Sequence, residues 1–175
     1  MSVDKAKQIT VLGGGGFVDA RLVQLASDSV EFQALPVLRS FRGLARLGVF
    51  VPFSRVIDSK DLDLLIEAFK GSATVVNLTM GDQMRILADT QLVYTPYVKS
   101  GVRQHIHLSS AVVFGRVKDH SIHDDPPPNA RSWMLYAREK AMAEVWLRNQ
   151  LSQRQIRLVI LRPGLIWGLD QIGLK

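Results

Sequence analysis

Tyr136 and Lys140 stand four residues apart in the stretch 132–147, SWMLYAREKAMAEVWL. On a helix that spacing puts both side chains on one face. A free phenol has a pKa near ~10, too high for a base at neutral pH. An ammonium ~4 Å away favours phenolate by up to ~4 kcal/mol at an effective dielectric of ~20, about three pKa units. Tyr136 is then expected to exchange a proton with a substrate hydroxyl or carbonyl near neutral pH. Lys140 is also within reach of ribose hydroxyls. The bland alternative is a packed Tyr beside a solvated Lys, and the pair alone does not exclude it. Leu108-Ser109-Ser110-Ala111 adds weight, because it falls at the C-terminal end of a predicted strand. In open α/β sheets that edge binds ligands, and Ser110 there can polarise the oxygen that Tyr136 protonates.

A second constellation lies near the start. Residues 8–20 read QITVLGGGGFVDA: a β-rich run, then Gly13–Gly16, then an amphipathic run. Glycines let a turn close around an anion, and the following helix start supplies free N–H groups and partial positive charge. A plain Gly-rich turn is the alternative reading. In a dinucleotide fingerprint the third glycine, where close helix–strand packing leaves little room, falls where this chain has Asp19. A carboxylate there stabilises the helix start but competes with a diphosphate, so Asp19 is expected to weaken cofactor binding. No acidic residue occurs between Glu31 and Asp58 to hold a ribose 2′-hydroxyl at the end of strand two. Arg39 ends that strand, with Arg42 and Arg46 following, and a guanidinium suits a 2′-phosphate. NADP is therefore expected, with NAD as the alternative; a solvated helix face is the other reading of Arg42 and Arg46. Asp58 follows the third strand, where a short polar side chain reaches the adenine edge.

The elements that must position these groups alternate. Strands are predicted at 8–12, 30–38, 49–53, 74–78, 105–108 and 157–161. Helices are predicted at 17–26, 41–47, 62–69, 83–98 and 132–151. Alternation of this kind argues for a doubly wound parallel sheet, a Rossmann-type α/β fold. Pro36 sits badly inside an interior strand, so a bulge or an early strand end is expected there.

With 175 residues, about one domain is expected at ~150 residues each, covering 1–175. Apolar residues make up 47% and charged residues 22%, which argues against disorder. Cysteine is absent, so disulfides, thiol catalysis and Cys-ligated metals are excluded. No apolar run approaches the ~18 residues of a membrane span, and no signal peptide is evident. The net charge of +6 suits an anionic ligand or simply solubility. His120, His123, Asp124 and Asp125 cluster before a proline run and read as a polar loop rather than a metal site, so no metal is expected. Arg103, His105 and Lys99 could extend a basic patch, but no interleaved aromatics support nucleic-acid stacking. His105 and His107 alternate on one strand face, as structural or half-exposed residues. Trp133, Met134 and Trp146 read as core or partner packing.

Taken together, the stretches GGGGFVDA, VVNLT, HIHLSSAVVFG, DDPPP, YAREKAMAE and VILRPGLIWG resemble the extended short-chain dehydrogenase/reductase family, also called the NAD(P)-dependent epimerase/dehydratase family. The resemblance covers about residues 8–168. It implies that Gly13, Gly16, Phe17 and Val18 wrap the pyrophosphate, that Asp58 takes the adenine position, and that Leu78 and Thr79 line the cofactor. It also implies that Ser110, Tyr136 and Lys140 are catalytic and that Pro163 and Gly164 lie beside the nicotinamide. The expected activity is that of an oxidoreductase, epimerase or dehydratase on a carbonyl/hydroxyl carbon. The expected partner is a small-molecule carbonyl or sugar-nucleotide substrate, with a homo-oligomer as the further option, in the cytoplasm. Family members continue into a C-terminal lobe that grips the substrate, whereas this chain is expected to stop after the sixth strand. A non-catalytic nucleotide-binding or assembly relative is the alternative, favoured by Asp19 and the missing lobe.

Overall fold

The computed structural model describes residues 6–13, 15–48, 54–115, 127–152 and 154–168. Six strands form one all-parallel sheet: β1 (Lys7–Leu12), β2 (Phe32–Leu38), β3 (Arg55–Val56), β4 (Thr74–Asn77), β5 (Gln104–Leu108) and β6 (Arg157–Leu161). Their spatial order is β3-β2-β1-β4-β5-β6. The order reverses between β1 and β4. At such a switch point the connections on either side leave in opposite directions, and a crevice opens beyond the strand C-termini.

The helices are α1 (Phe17–Ser27), α2 (Leu44–Leu47, entered through a 3-10 turn at Phe41–Gly43), α3 (Leu62–Phe69), α4 (Ile86–Ser100) and α5 (Leu135–Leu151). A parallel sheet must be covered on both faces because its strands are apolar on both, and the core divides accordingly. Leu12, Val37, Leu65, Phe69, Val75, Val93 and Tyr97 pack on the α3–α4 face. Val11, Val23, Ala34, Leu38, Leu47 and Val76 pack on the α1–α2 face. Adjacent residues of one strand, such as Val11 and Leu12, go to opposite faces, as the two-residue period of a strand requires. Helix boundaries follow local polar groups. The Asp61 carboxylate accepts the Leu64 N–H at 3.1 Å and starts α3. Gly101, with φ of 75°, closes α4 in the left-handed conformation.

Two sequence expectations are revised and a third is not tested. The predicted strand 49–53 lies outside the described residues, and β3 is the two-residue segment after it. Helix α5 begins at Leu135 rather than Ser132, because the Ser132 hydroxyl accepts the Met134 N–H at 3.3 Å and holds an extended entry. Pro36 causes neither a bulge nor an early end: β2 runs through it in regular register, with Pro36 opposite Val11. The reason lies in which way the backbone faces. The Val37 carbonyl accepts from Gly13 at the end of β1, and the Leu38 carbonyl accepts from Ile57 after β3. Groups alternate in direction along a strand, so the Pro36 nitrogen faces the β3 side. Pairing there starts only at Val37 and Leu38, and the missing donor interrupts no ladder bond.

Candidate active site

A cleft of about 490 Å³ runs along the C-terminal edge of the sheet, within the ~300–1,000 Å³ range of small-molecule sites. Its floor is the glycine turn. Gly13 has φ of 100°, and a Cβ there would press on the Leu78 carbonyl carbon and the Thr79 nitrogen, both at 3.1 Å. Only glycine lets the turn after β1 nest against the segment after β4. That segment is itself fixed: the Asn77 side-chain oxygen accepts from the Thr79 N–H at 3.1 Å and from its hydroxyl at 2.6 Å. Gly15 packs on the backbone of Gly43, leaving no room for a side chain on either residue; a Cβ on Gly43 would lie 3.0 Å from the Gly15 Cα.

The structure brings most of the sequence-predicted residues to this one cleft. Gly13, Gly16, Phe17 and Val18 line it from the turn and the start of α1. Leu78 and Thr79 line it from the β4 loop, and Arg39 from the end of β2. Ser110, Tyr136 and Lys140 line its other end with Pro163 and Gly164. Asp58 is not part of the lining; it is exposed, and its carboxylate accepts the Lys60 N–H at 3.0 Å. Its neighbours Ile57 and Ser59 face the cleft instead. Arg42 and Arg46 are exposed and do not line it.

The reactive end differs from expectation in one respect. Lys140 is buried, and its Nζ donates to the Leu108 carbonyl at 2.6 Å. It lies 6.0 Å from the Tyr136 ring centre. The Tyr136 phenol is held above its usual value by burial, with the facing Ser110 hydroxyl acting in the opposite sense. The lowering expected from Lys140 is not found, desolvation outweighs the Ser110 hydrogen bond, and the resting Tyr136 is a protonated donor. Burial lowers Lys140 to about 8, while Glu144, one helical turn on, partly restores it. Glu144 is fully buried and engages Arg162, whose Nη2 donates to its Oε2 at 2.6 Å and whose Nε donates to Oε1 and Oε2 at 3.1 Å. The Arg162 guanidinium lies 5.0 Å from the Phe114 ring centre. This pair, 18 residues apart in the chain, was not found from sequence.

Asp19 occupies the start of α1. Its Oδ2 accepts the Gly16 N–H at 2.8 Å, one of the N–H groups that a helix start offers to an anion. Burial raises the carboxyl to about 7, against the hydrogen bonds from Gly16 and its own N–H and the charge of Arg46.

His105 and His107 are both buried on β5. Burial holds His105 down at about 3 and His107 well below its usual range. His105 therefore cannot extend a basic patch with Lys99 and Arg103. Trp133 is exposed, while Trp146 packs edge-on against Tyr94 at 5.0 Å. The cluster His120, His123, Asp124 and Asp125 lies outside the described residues. Among the described residues no helix is long and apolar enough to cross a membrane.

The model of the NAD dependent epimerase/dehydratase family matches residues 9–171. The chain belongs to this family. Among solved structures it is similar to UDP-glucose 4-epimerase from Bifidobacterium longum, at 20% identity and a TM-score of 0.70, over 89% of this chain and 52% of that one. It is also similar to UDP-N-acetylglucosamine 4-epimerase from Bacillus cereus, at 20% identity and a TM-score of 0.76, over 97% and 64%. A third similar structure is dTDP-glucose 4,6-dehydratase from Streptomyces venezuelae with NAD bound, at 20% identity and a TM-score of 0.69, over 89% and 55%. At this identity the likeness shows the fold. The family member described here spans about half to two-thirds of these relatives' length. Comparison with curated proteins gives no match.

Proposed function

We propose that this chain is the dinucleotide-binding and proton-transferring part of an NAD(P)-dependent epimerase, dehydratase or reductase acting on a carbonyl/hydroxyl carbon of a sugar nucleotide or similar small molecule. The observation that carries the reading is the cleft itself: the glycine turn and the group Ser110, Tyr136 and Lys140 line one continuous space. A dinucleotide fits it in chemistry as well as size, with a glycine-floored turn at the middle and polar side chains at the end beyond β5. The bound nicotinamide would supply hydride chemistry.

The chain's own residues then have distinct tasks. Ser110 orients the substrate oxygen by hydrogen bonding. Tyr136, protonated at rest, delivers the proton from its Oη and recovers it in the reverse direction. Lys140, anchored on the Leu108 carbonyl, keeps a positive charge beside the phenol and offers its remaining donors to ribose hydroxyls. Gly13, Gly16, Phe17 and Val18 hold the diphosphate, Leu78 and Thr79 border it, and Pro163 and Gly164 flank the reactive end. Arg39 favours a 2′-phosphate and hence NADP, while the family is NAD-dependent.

The test is binding and turnover measured separately. The chain is expected to bind NADH or NADPH in a fluorescence titration, and Tyr136→Phe is expected to keep that binding. In the same variant turnover on a carbonyl and sugar-nucleotide panel falls by about 10²–10⁴. No dinucleotide binding at millimolar concentration would sink the reading. A second reading, a nucleotide-binding relative without catalysis, is favoured by the Asp19 carboxylate on the Gly16 N–H. Binding without Tyr136-dependent turnover selects it.

A further inference from the structure

The sequence offers no carboxylate at the end of β2, yet one reaches the same end of the cleft from elsewhere. Asp89, in the first turn of α4, lines the cleft, as do Arg39 and Gly81. A Cβ built on Gly81 would lie 2.8 Å from the Asp89 Oδ2 and 3.5 Å from the Arg39 Nη1. Carboxylate and guanidinium thus flank one small gap that glycine keeps open. No ion pair joins them, and the Asp89 carboxylate accepts no hydrogen bond from any described residue. Asp89 is an unused acceptor facing the cleft.

Topology says which part of a ligand would meet it. The sheet order is β3-β2-β1-β4-β5-β6. The glycine turn follows β1, and Arg39 follows β2 on one side of it. Ser110, Tyr136 and Lys140 belong to β5 and α5 on the other side. A diphosphate over the glycine turn has two arms. The arm toward β5 meets the proton-transfer group and is the reactive one, so the arm toward β2 is the adenosine. Arg39, Gly81 and Asp89 stand at that arm.

We propose that Asp89 is the specificity-determining carboxylate of this site: it accepts the adenosine ribose hydroxyls across Gly81 and disfavours a 2′-phosphate, so that the chain selects NAD over NADP in spite of Arg39. The physical reason is direct. A carboxylate is acceptor-only and pairs well with hydroxyl donors, whereas it repels a phosphate dianion. Arg39 alone would favour the phosphate; with Asp89 opposite, its charge is offset where the 2′-substituent lies. This inference deepens the proposed function and rests on it.

The experiment uses the chain with four probes: NADH, NADPH, and the adenosine-half fragments ADP-ribose and 2′-phospho-ADP-ribose. The fragments lack nicotinamide, so they report the adenosine end without the reactive one. Wild type is expected to bind NADH and ADP-ribose more tightly than their 2′-phosphorylated counterparts. Asp89→Ala and Asp89→Asn are expected to shift the ratio of the two affinities by at least tenfold toward the phosphorylated ligand, because an acceptor for the hydroxyls weakens or goes and a charge that repels the phosphate is removed. Asp89→Asn, which keeps the shape of the side chain, guards against a folding defect in Asp89→Ala. Arg39→Met is expected to weaken only the phosphorylated ligands. An unchanged ratio in both Asp89 variants, or an equal loss for all four ligands, overturns the inference while leaving the proposed function intact. Wild type that binds none of the four overturns both.

Discussion

Raising the pH through neutrality is expected to weaken dinucleotide binding, and Asp19→Asn is expected to remove that dependence. The magnitude follows from the start of α1. The Asp19 carboxyl moves from 3.8 to about 7, which at about 1.36 kcal/mol per unit is on the order of 4 kcal/mol of disfavoured charge. The carboxylate already sits on the Gly16 N–H at 2.8 Å. An incoming diphosphate therefore meets a neutral acid below about 7 and a rival anion above it. Affinity is expected to fall about tenfold per pH unit once ionisation is complete, if binding takes up one proton. Stability carries the same signature. At pH values below 3.8 both folded and unfolded chains hold the proton and the residue contributes nothing to the difference. Between 3.8 and about 7 the unfolded chain ionises first, so stability falls as pH rises, and the full cost is present above that range. Asp19→Asn is thus expected to exceed wild type already at pH 5.5, by a margin that widens up to about pH 7 and is constant above it. The assays are NADH titration and urea denaturation from pH 5.5 to 8.5. Lys140, lowered to about 8, also loses charge at the alkaline end, so the difference between variant and wild type is the quantity that isolates Asp19. A wild-type affinity flat across this range, or the same slope in Asp19→Asn, would refute the reasoning.

Two further outcomes follow from buried groups. Glu144→Gln leaves Arg162 without its buried carboxylate and is expected to cost about 3–5 kcal/mol in urea denaturation. Replacing both residues by Met is expected to recover most of the loss, and a double variant as unstable as the single would contradict the account. His105 is buried against Tyr97, with ring centres 3.9 Å apart, and neither of its nitrogens has a partner among the described residues. His105→Phe is therefore expected to be neutral or stabilising at pH 7. Wild type loses stability from pH 6.5 downward, because the unfolded imidazole gains a proton there and the folded one does not until about 3. Thermal unfolding at pH 5 and pH 7 checks this, and the variant's transition should move less between the two.

The fold was legible because its signals are local. A β-rich run, four glycines and an amphipathic run announce β1, the turn and α1 within about a dozen residues, and the same alternation continues to β6. The members of the cleft were legible wherever a motif carried them, as with Gly13, Ser110 and Tyr136. What escaped was direction. Spacing put Tyr136 and Lys140 on one face but could not say that Lys140 turns to the Leu108 carbonyl, leaving burial to raise the phenol. Asp58 follows a strand, yet its side chain faces solvent while Ser59 faces the cleft. Asp89 reads in sequence as an ordinary acidic residue in a first helical turn. Only its place across Gly81 from Arg39 reveals it as part of the cleft. The effect of Pro36 is hidden from sequence for the same reason, since it depends on which neighbour its nitrogen faces.

Gly15 and Gly43 share one excluded volume, which makes two distant stretches of chain a single mechanical part. A methyl group on either would lever the glycine turn away from the 3-10 segment and so move the floor beneath any bound ligand. Grafting the turn from a relative, or redesigning the segment before α2, must then exchange both pieces at once; neither can be treated as a replaceable surface loop.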